Sequence, residues 1–445
     1  MKILFISLGC DKNLVDTEVM LGMLEEEGYS FTDDEAEAEA VVINTCCFIN
    51  DAKEESINTI LEMSELKKSG QIKALIVAGC LAQRYQKEIQ EEIPEVDAII
   101  GTSAILDIVD TLNQVLKGNA QNHVEELDKP PVGGRRRIVT TGGHYAYLKI
   151  AEGCDKHCTY CIIPKVRGSY RSIAIEDLLK EAAALAEGGV KELILVAQET
   201  TLYGMDLYGR KSLPRLLEEL CGISGLVWIR ILYCYPEEIT DELIQVMKKE
   251  PKICHYLDIP VQSGSDNILK KMGRKTDSGQ IKAIIGKLRK EIPDICIRTT
   301  LITGFPGESE EDHEETLDFV DEMEFDRLGV FAYSTEEGTP AAEMPGQVPE
   351  DIKEMRRNEI MELQQEIAFD LARNMAGRRV NAMIEGKIEQ EDVYVARTYK
   401  DAPGVDGYLF INTDECLDKS LMSGDFVTVT ITGSNEYDLI GEMED

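Results

Sequence analysis

Ten short apolar runs, most of them trailed by an amphipathic stretch, constrain this chain more than any other feature. Four lie in the first 116 residues, Ile3–Leu8, Ala40–Ile43, Ala74–Ala78 and Ala98–Ile100, followed by helical patterns at Val15–Glu27, Ala52–Lys68, Arg84–Ile93 and Ile105–Leu116. Strands that alternate with helices bury both faces of a sheet by crossing the helices over it, so this region predicts a doubly wound, mostly parallel α/β domain. Six more runs follow, near Tyr145–Ile150, Glu192–Ala197, Val227–Tyr233, Tyr256–Val261, Ile295–Ile302 and Leu328–Tyr333. Six βα units without a seventh or eighth predict a partial, open (β/α)6 version of the TIM barrel.

Between the two series, residues 118–139 carry Pro130-Pro131, Gly133-Gly134 and Arg135-Arg136-Arg137, a loop composition read as a polar linker with a solvated basic hinge. A helical stretch, Glu350–Met375, leads to five short runs, Val380–Ile384, Val393–Ala396, Gly407–Ile411, Asp425–Ile431 and Asp438–Glu442. Their Gly and Asp/Asn turns predict a small antiparallel β-barrel of oligonucleotide-fold type. The expected division is therefore 1–117, linker 118–139, core 140–372 and final barrel 373–441.

The thiols bring in chemistry. Twelve Cys in 445 residues are too sparse for a disulfide scaffold and read as ligands or core residues of an intracellular protein. Cys154, Cys158 and Cys161 stand in one loop after the first strand of the second series, spaced x3 and x2, at the barrel face that carries chemistry. Four thiolates normally hold a [4Fe-4S] cluster, so three leave one iron open to a small molecule. The alternative is a zinc knuckle with His157 or a remote Cys as fourth ligand. Cys10, Cys46 and Cys80 each follow a strand of the first domain, so all three belong to the ligand-binding rim of that sheet and can converge on a second open cluster. Three separate buried thiols are the plainer alternative. Cys47, Cys221, Cys234, Cys254, Cys296 and Cys416 lack clustered spacing and read as packing residues.

The spacing C-x3-C-x2-C with Tyr160 before its last Cys resembles the signature of radical S-adenosylmethionine (SAM) enzymes, and with both Cys sets the whole chain resembles their methylthiotransferase family. Ser7–Asp16, Ile162–Ser172, Ala197–Thr201, Tyr256–Pro260 and Arg327–Ser334 are similar to the branch that acts on a ribosomal protein; Gln262-Ser263 departs from it and is similar to the tRNA branch. The resemblance implies an amino-terminal methylthiotransferase domain, a radical core and a TRAM domain. It also implies two [4Fe-4S] clusters, on Cys154, Cys158 and Cys161 and on Cys10, Cys46 and Cys80, with SAM as radical source and methyl donor. The implied reaction is methylthiolation of the β-carbon of an aspartate in the twelfth protein of the small ribosomal subunit. An unactivated C–H bond offers a general base no acidic proton, which is why a radical route is required.

Side chains beyond the clusters are weaker candidates. Gln198, Arg230 and Arg298 stand at predicted strand ends and, with Tyr160, are candidates for SAM contact; Arg167 and Arg171 are candidates to meet a carboxylate. The formal charge of −36, with six Lys or Arg against fifteen Asp or Glu after residue 376, disfavours tRNA and favours a basic ribosomal protein as partner. An electron donor such as flavodoxin or ferredoxin and a sulfur donor are also expected. No apolar run approaches the roughly 20 residues of a membrane span, so a cytoplasmic location is expected. The rival readings are a tRNA adenosine methylthiotransferase and a non-catalytic iron-sulfur redox or RNA-binding protein.

Overall fold

A computed structural model describes residues 1–444 except 120–121, 125, 132, 389–390 and 413–420; Cys416 lies outside the described residues. The amino-terminal unit runs β1 (Lys2–Ser7), α1 (Asp11–Glu26), β2 (Ser30–Thr32), β3 (Ala40–Thr45), α2 (Asn50–Lys68), β4 (Ala74–Gly79), α3 (Cys80–Arg84), α4 (Gln86–Glu92), β5 (Ala98–Ile100) and α5 (Ile108–Leu116). Its strands form an all-parallel sheet in the order β2-β1-β3-β4-β5. Every residue of β3 and β4 is buried, as expected of strands covered on both faces. The three-residue β2 adds an edge strand to the four expected.

The core contains β6 (Tyr145–Lys149), β7 (Ala151–Glu152), α6 (Ile163–Arg167), β8 (Arg171–Ser172), α7 (Ile175–Glu187), β9 (Glu192–Val196), α8 (Met205–Tyr208), α9 (Leu213–Cys221), β10 (Trp228–Ile231), α10 (Asp241–Lys249), β11 (Ile253–Asp258), α11 (Asp266–Lys271), α12 (Ser278–Glu291), β12 (Cys296–Thr303), α13 (Glu310–Met323), β13 (Arg327–Ala332) and α14 (Glu350–Arg373). Six parallel strands lie in the order β13-β12-β11-β10-β9-β6, an open barrel segment. Alternate residues face opposite ways along a strand. Leu193, Leu195, Ile229, Ile231, Leu257 and Ile297 therefore pack outward against helix residues such as Leu178, Leu216 and Ile285. Ile194, Val196, Trp228, Cys254, Tyr256 and Cys296 line the inner face.

That inner face is covered by the final unit, β14 (Arg379–Ile388), β15 (Val393–Thr398), β16 (Leu409–Asn412), β17 (Phe426–Asn435) and β18 (Asp438–Met443), which closes into a barrel. Met383, Ala402 and Phe426 enter the core cluster, and the Phe426 ring meets Trp228 edge-on at 4.8 Å. The barrel is not wholly antiparallel, because β16 and β18 pair in parallel to close it. Residues 118–139 also depart from the hinge expectation. Arg137 is buried, bonded to Glu18 at 2.9 Å and facing Glu181 at 3.2 Å, so this segment ties α1 to α7. No helix among the described residues is long and apolar enough to cross a membrane.

Candidate active site

Strand register gathers the first thiol set. Ser7 lies opposite Asn44, and Thr45 opposite Gly79, so β1, β3 and β4 run out at one level and Cys10, Cys46 and Cys80 follow from one rim. Glycine permits the close approach. Gly9 has φ +88°, and a Cβ there would lie 2.6 Å from Cys46 Cβ; Gly79 has φ +93°, and its Cβ would lie 2.3 Å from Asn44 Oδ1. Asn13 braces the rim, its Nδ2 donating to Leu8 O at 3.0 Å and to Thr45 O at 2.9 Å. Burial pushes the Cys46 and Cys80 thiols up, with Arg167 opposing the shift at Cys80. Cys10 is exposed.

The second set hangs from the carboxyl end of β6. Gly153, at φ +78°, lets the chain pass Ser169, whose carbonyl oxygen would lie 2.0 Å from an added Cβ. Cys154 N then donates to Gly168 O at 3.1 Å, Thr159 N to Met272 O at 2.9 Å and Cys161 N to Cys158 O at 3.0 Å, which pins the loop at its start, middle and end. Burial pushes the Cys154 and Cys161 thiols up to about 12. Tyr160 turns its ring toward Phe305, centroids 6.4 Å apart, and Tyr235 Oη sits 3.7 Å from Cys158 Sγ. No three His, Cys, Asp or Glu side chains among the described residues close round a single ion. A multi-iron cluster has a different requirement, since each thiolate binds its own iron. His157, the fourth ligand of a zinc knuckle, is exposed while Cys154 and Cys158 are buried. Two thiol sets on glycine-shaped rims, four of their six members buried, thus fit clusters.

The two rims face each other across a polar seam. Arg167 Nε donates to Cys80 Sγ at 3.3 Å; Lys12 Nζ stands 3.1 Å from the Tyr233 ring centroid and 3.0 Å from Asp11; Lys53 and Arg84 both reach Glu336 at 3.0 Å. Arg167 therefore does not wait for a substrate carboxylate, since Asp16 and Glu152 already occupy it. Arg171 is likewise engaged, by Leu127 O, Arg167 O and Asp128. Arg230 and Arg298 turn to the final barrel instead of the thiol loop: Arg230 pairs with Glu192 at 2.7 Å and donates to Tyr399 O at 2.6 Å, and Arg298 pairs with Asp406 at 2.8 Å. Gln198 does reach the site's edge, donating to Glu152 at 3.0 Å with its Oε1 buried and unpartnered.

Sequence reading passed over the residue after it. Glu199 is fully buried, its Oε2 has no hydrogen bond, and Lys156 Nζ lies 3.7 Å away. Burial pushes its carboxyl up to about 7, against Thr201 and Lys156. Arg274 was passed over too: it lies over the Tyr235 ring at 4.3 Å, with Nε and Nη1 buried and unpartnered. The signal for Glu199 was the Gln198-Glu199 pair at a strand end; Arg274 sits in a loop after α11 and gave none.

The half-open parallel barrel with its thiol loop defines the class. Residues 148–320 match the radical SAM superfamily, residues 2–101 the uncharacterized protein family UPF0004, and residues 376–443 the TRAM domain. The fold is shared with TsrM, a radical SAM methyltransferase from Kitasatospora setae, at TM-score 0.56 and 13% identity over 77% of each chain. It is shared also with the cobalamin-dependent radical enzyme OxsB, at TM-score 0.54 and 15% identity over 82% of this chain and 56% of that one. Whole-chain relatives narrow the class to one family. The ribosomal protein uS12 methylthiotransferase RimO of Lachnoclostridium phytofermentans is 60% identical over 444 residues, 100% of both chains, and that of Clostridioides difficile is 49% identical over 449 residues, 100% of this chain and 99% of its own. The chain belongs to the RimO family of radical SAM methylthiotransferases.

Proposed function

We propose that the protein places a methylthio group on the β-carbon of an aspartate of ribosomal protein uS12. The observation that carries the reading is the pairing of two incomplete thiol sets on rims that face each other, which fits a reaction in two halves. Cys154, Cys158 and Cys161 would hold one [4Fe-4S] cluster and Cys10, Cys46 and Cys80 the other. When bound, these groups supply reductive cleavage of SAM at one and a coordination site for sulfur at the other. The chain's own part is to orient and to shield. Tyr160, Phe305 and Tyr333 form an apolar wall beside the thiol loop that keeps water from a reactive carbon. Gln198 and Glu199 offer buried oxygens to a cationic ligand, the ammonium of SAM being the fitting group.

The substrate side rests on the relatives' printed activity and on charge. A net −36 attracts a basic ribosomal protein and repels tRNA, and it predicts a KM for the protein that rises with ionic strength. A cytoplasmic location, an external electron donor such as flavodoxin or ferredoxin and a sulfur donor belong to the same reading. So does the division at 117, 139 and 372. The test is one anaerobic incubation of the reconstituted, reduced enzyme with SAM, sulfide, uS12 and unmodified tRNA, read by mass spectrometry. A methylthio adduct on a uS12 aspartate supports the reading; an adduct on tRNA adenosine alone overturns the substrate, and SAM cleavage with neither adduct overturns the sulfur half.

A further inference from the structure

Arg167 closes α6, the short helix that follows Cys161, yet its side chain works inside the other domain. Nε donates to Cys80 Sγ at 3.3 Å, Nη1 to Asp16 Oδ2 at 2.7 Å and to Glu152 Oε2 at 3.1 Å, and Nη2 to Asn13 Oδ1. The side chain is 2% exposed. A buried arginine needs counter-charge, and two carboxylates would suffice without any sulfur. Lys149 competes for both of them, bonding Asp16 and, at 2.7 Å, Glu152. The carboxylates are shared between two cations, so the Nε–H is left to point at Cys80. Asn13 holds the fork in that orientation, and Asn13 is itself fixed to the rim by Leu8 O and Thr45 O.

We propose that Arg167 is a positioning residue that hydrogen-bonds a ligand sulfur of the second cluster, raises that cluster's reduction potential, and locks it against the loop carrying the first. The inference rests on the reading that Cys10, Cys46 and Cys80 hold a cluster. Reduction adds negative charge that spreads onto the thiolate sulfurs, and a charged N–H donor stabilises the reduced form more than the oxidised one. Hydrogen bonds to ligand sulfurs are among the recognised controls of cluster potential. The cluster beside Arg167 is thereby easier to reduce than it would be without the guanidinium.

The experiment is a potentiometric titration of the protein carrying both clusters, followed by electron paramagnetic resonance, in wild type, Arg167→Gln and Arg167→Lys. Arg167→Gln lowers the potential of the second cluster by roughly a tenfold change in its one-electron equilibrium, ~59 mV, and leaves the first where it was. Arg167→Lys, which keeps the charge, retains most of the wild-type value. Because Arg167→Gln removes a buried ion pair and can impair folding, a second measurement uses the wild-type chain: 15N-arginine labelling must show hyperfine coupling to the reduced second cluster. Unchanged potentials in Arg167→Gln, or no 15N coupling, overturn the proposal. Iron and spin counts of one cluster in the wild type would instead overturn the two-cluster reading beneath it.

Discussion

Burial sets the chemistry of Cys46, Cys80, Cys154 and Cys161 before any iron arrives. Cys154 and Cys161 are pushed up to about 12 and Cys80 is raised further, so these thiols carry their protons at neutral pH. Ligation requires thiolates, so cluster assembly releases protons and is favoured by higher pH. Anaerobic reconstitution in weak buffer is expected to acidify the medium, and Cys154→Ser, Cys158→Ser, Cys161→Ser protein to release about half as much; a pH-stat measures both. Glu199 gives a pH dependence of opposite origin. Its folded pKa, about 7, lies above the ordinary 4.5, so its contribution is fully present below about 4.5 and is lost as pH rises through 7. The metal-free protein is expected to lose on the order of 3 kcal/mol over that interval through this group. Glu199→Gln should flatten that part of the curve, as denaturation midpoints between about pH 5 and 8 will show. The two sets of three cysteines were legible from spacing and strand position, whereas Glu199 was not, because its burial with one oxygen left without a hydrogen bond is a property of the folded surroundings.

At the scale of the element, turns aim the thiols. Gly79 occupies a left-handed φ of +93° with Asn44 and Thr45 closing on the space of a side chain, so Gly79→Ala strains the backbone and crowds β3 together. A loss of about 2–4 kcal/mol is expected, read from urea midpoints, with weaker iron retention at Cys80 as the local consequence. Gly153→Ala meets backbone at Ser169 and should cost the loop of Cys154 its iron while leaving the first domain's cluster absorbance intact. Most elements could be read from pattern alone, since β4 and the first four residues of β3 are unbroken apolar runs and α5 and α9 are strongly amphipathic. Others were not. The three-residue β2 and two-residue β7 and β8 are too short to show a period, α3 lies ahead of the expected helix Arg84–Ile93, and Arg137, part of a basic run, is buried by carboxylates from two distant helices.

In the whole molecule, the final barrel is clamped by charge to the inner face of the core. Glu192 on β9 lies between Arg230 of β10 and Arg397 of β15, at 2.7 Å from each, and all three side chains are at most 1% exposed. Burial pushes the Glu192 carboxyl up, but Arg230 and Arg397 outweigh it and hold the group below the usual range. Glu192→Gln leaves two buried guanidinium groups short of a counter-charge. It should destabilise the protein by ~3–5 kcal/mol and expose the β14–β18 barrel to protease before the core, which limited proteolysis checks.

By itself the sequence determined the architecture and sorted six thiols into two sets, because period, turn residues and Cys spacing are local properties that survive in one dimension; the reaction class came from the resemblance its motifs carry. The tertiary structure alone decided that Arg230 and Arg298 serve the barrel clamp, that Arg167 joins the two thiol rims, and that Glu199 and Arg274 keep unpartnered polar atoms beside the loop of Cys154, Cys158 and Cys161. Each of these depends on which distant carboxylate, sulfur or carbonyl reaches a side chain first, and in a charged, buried setting that partner, not the residue type, sets what the group does.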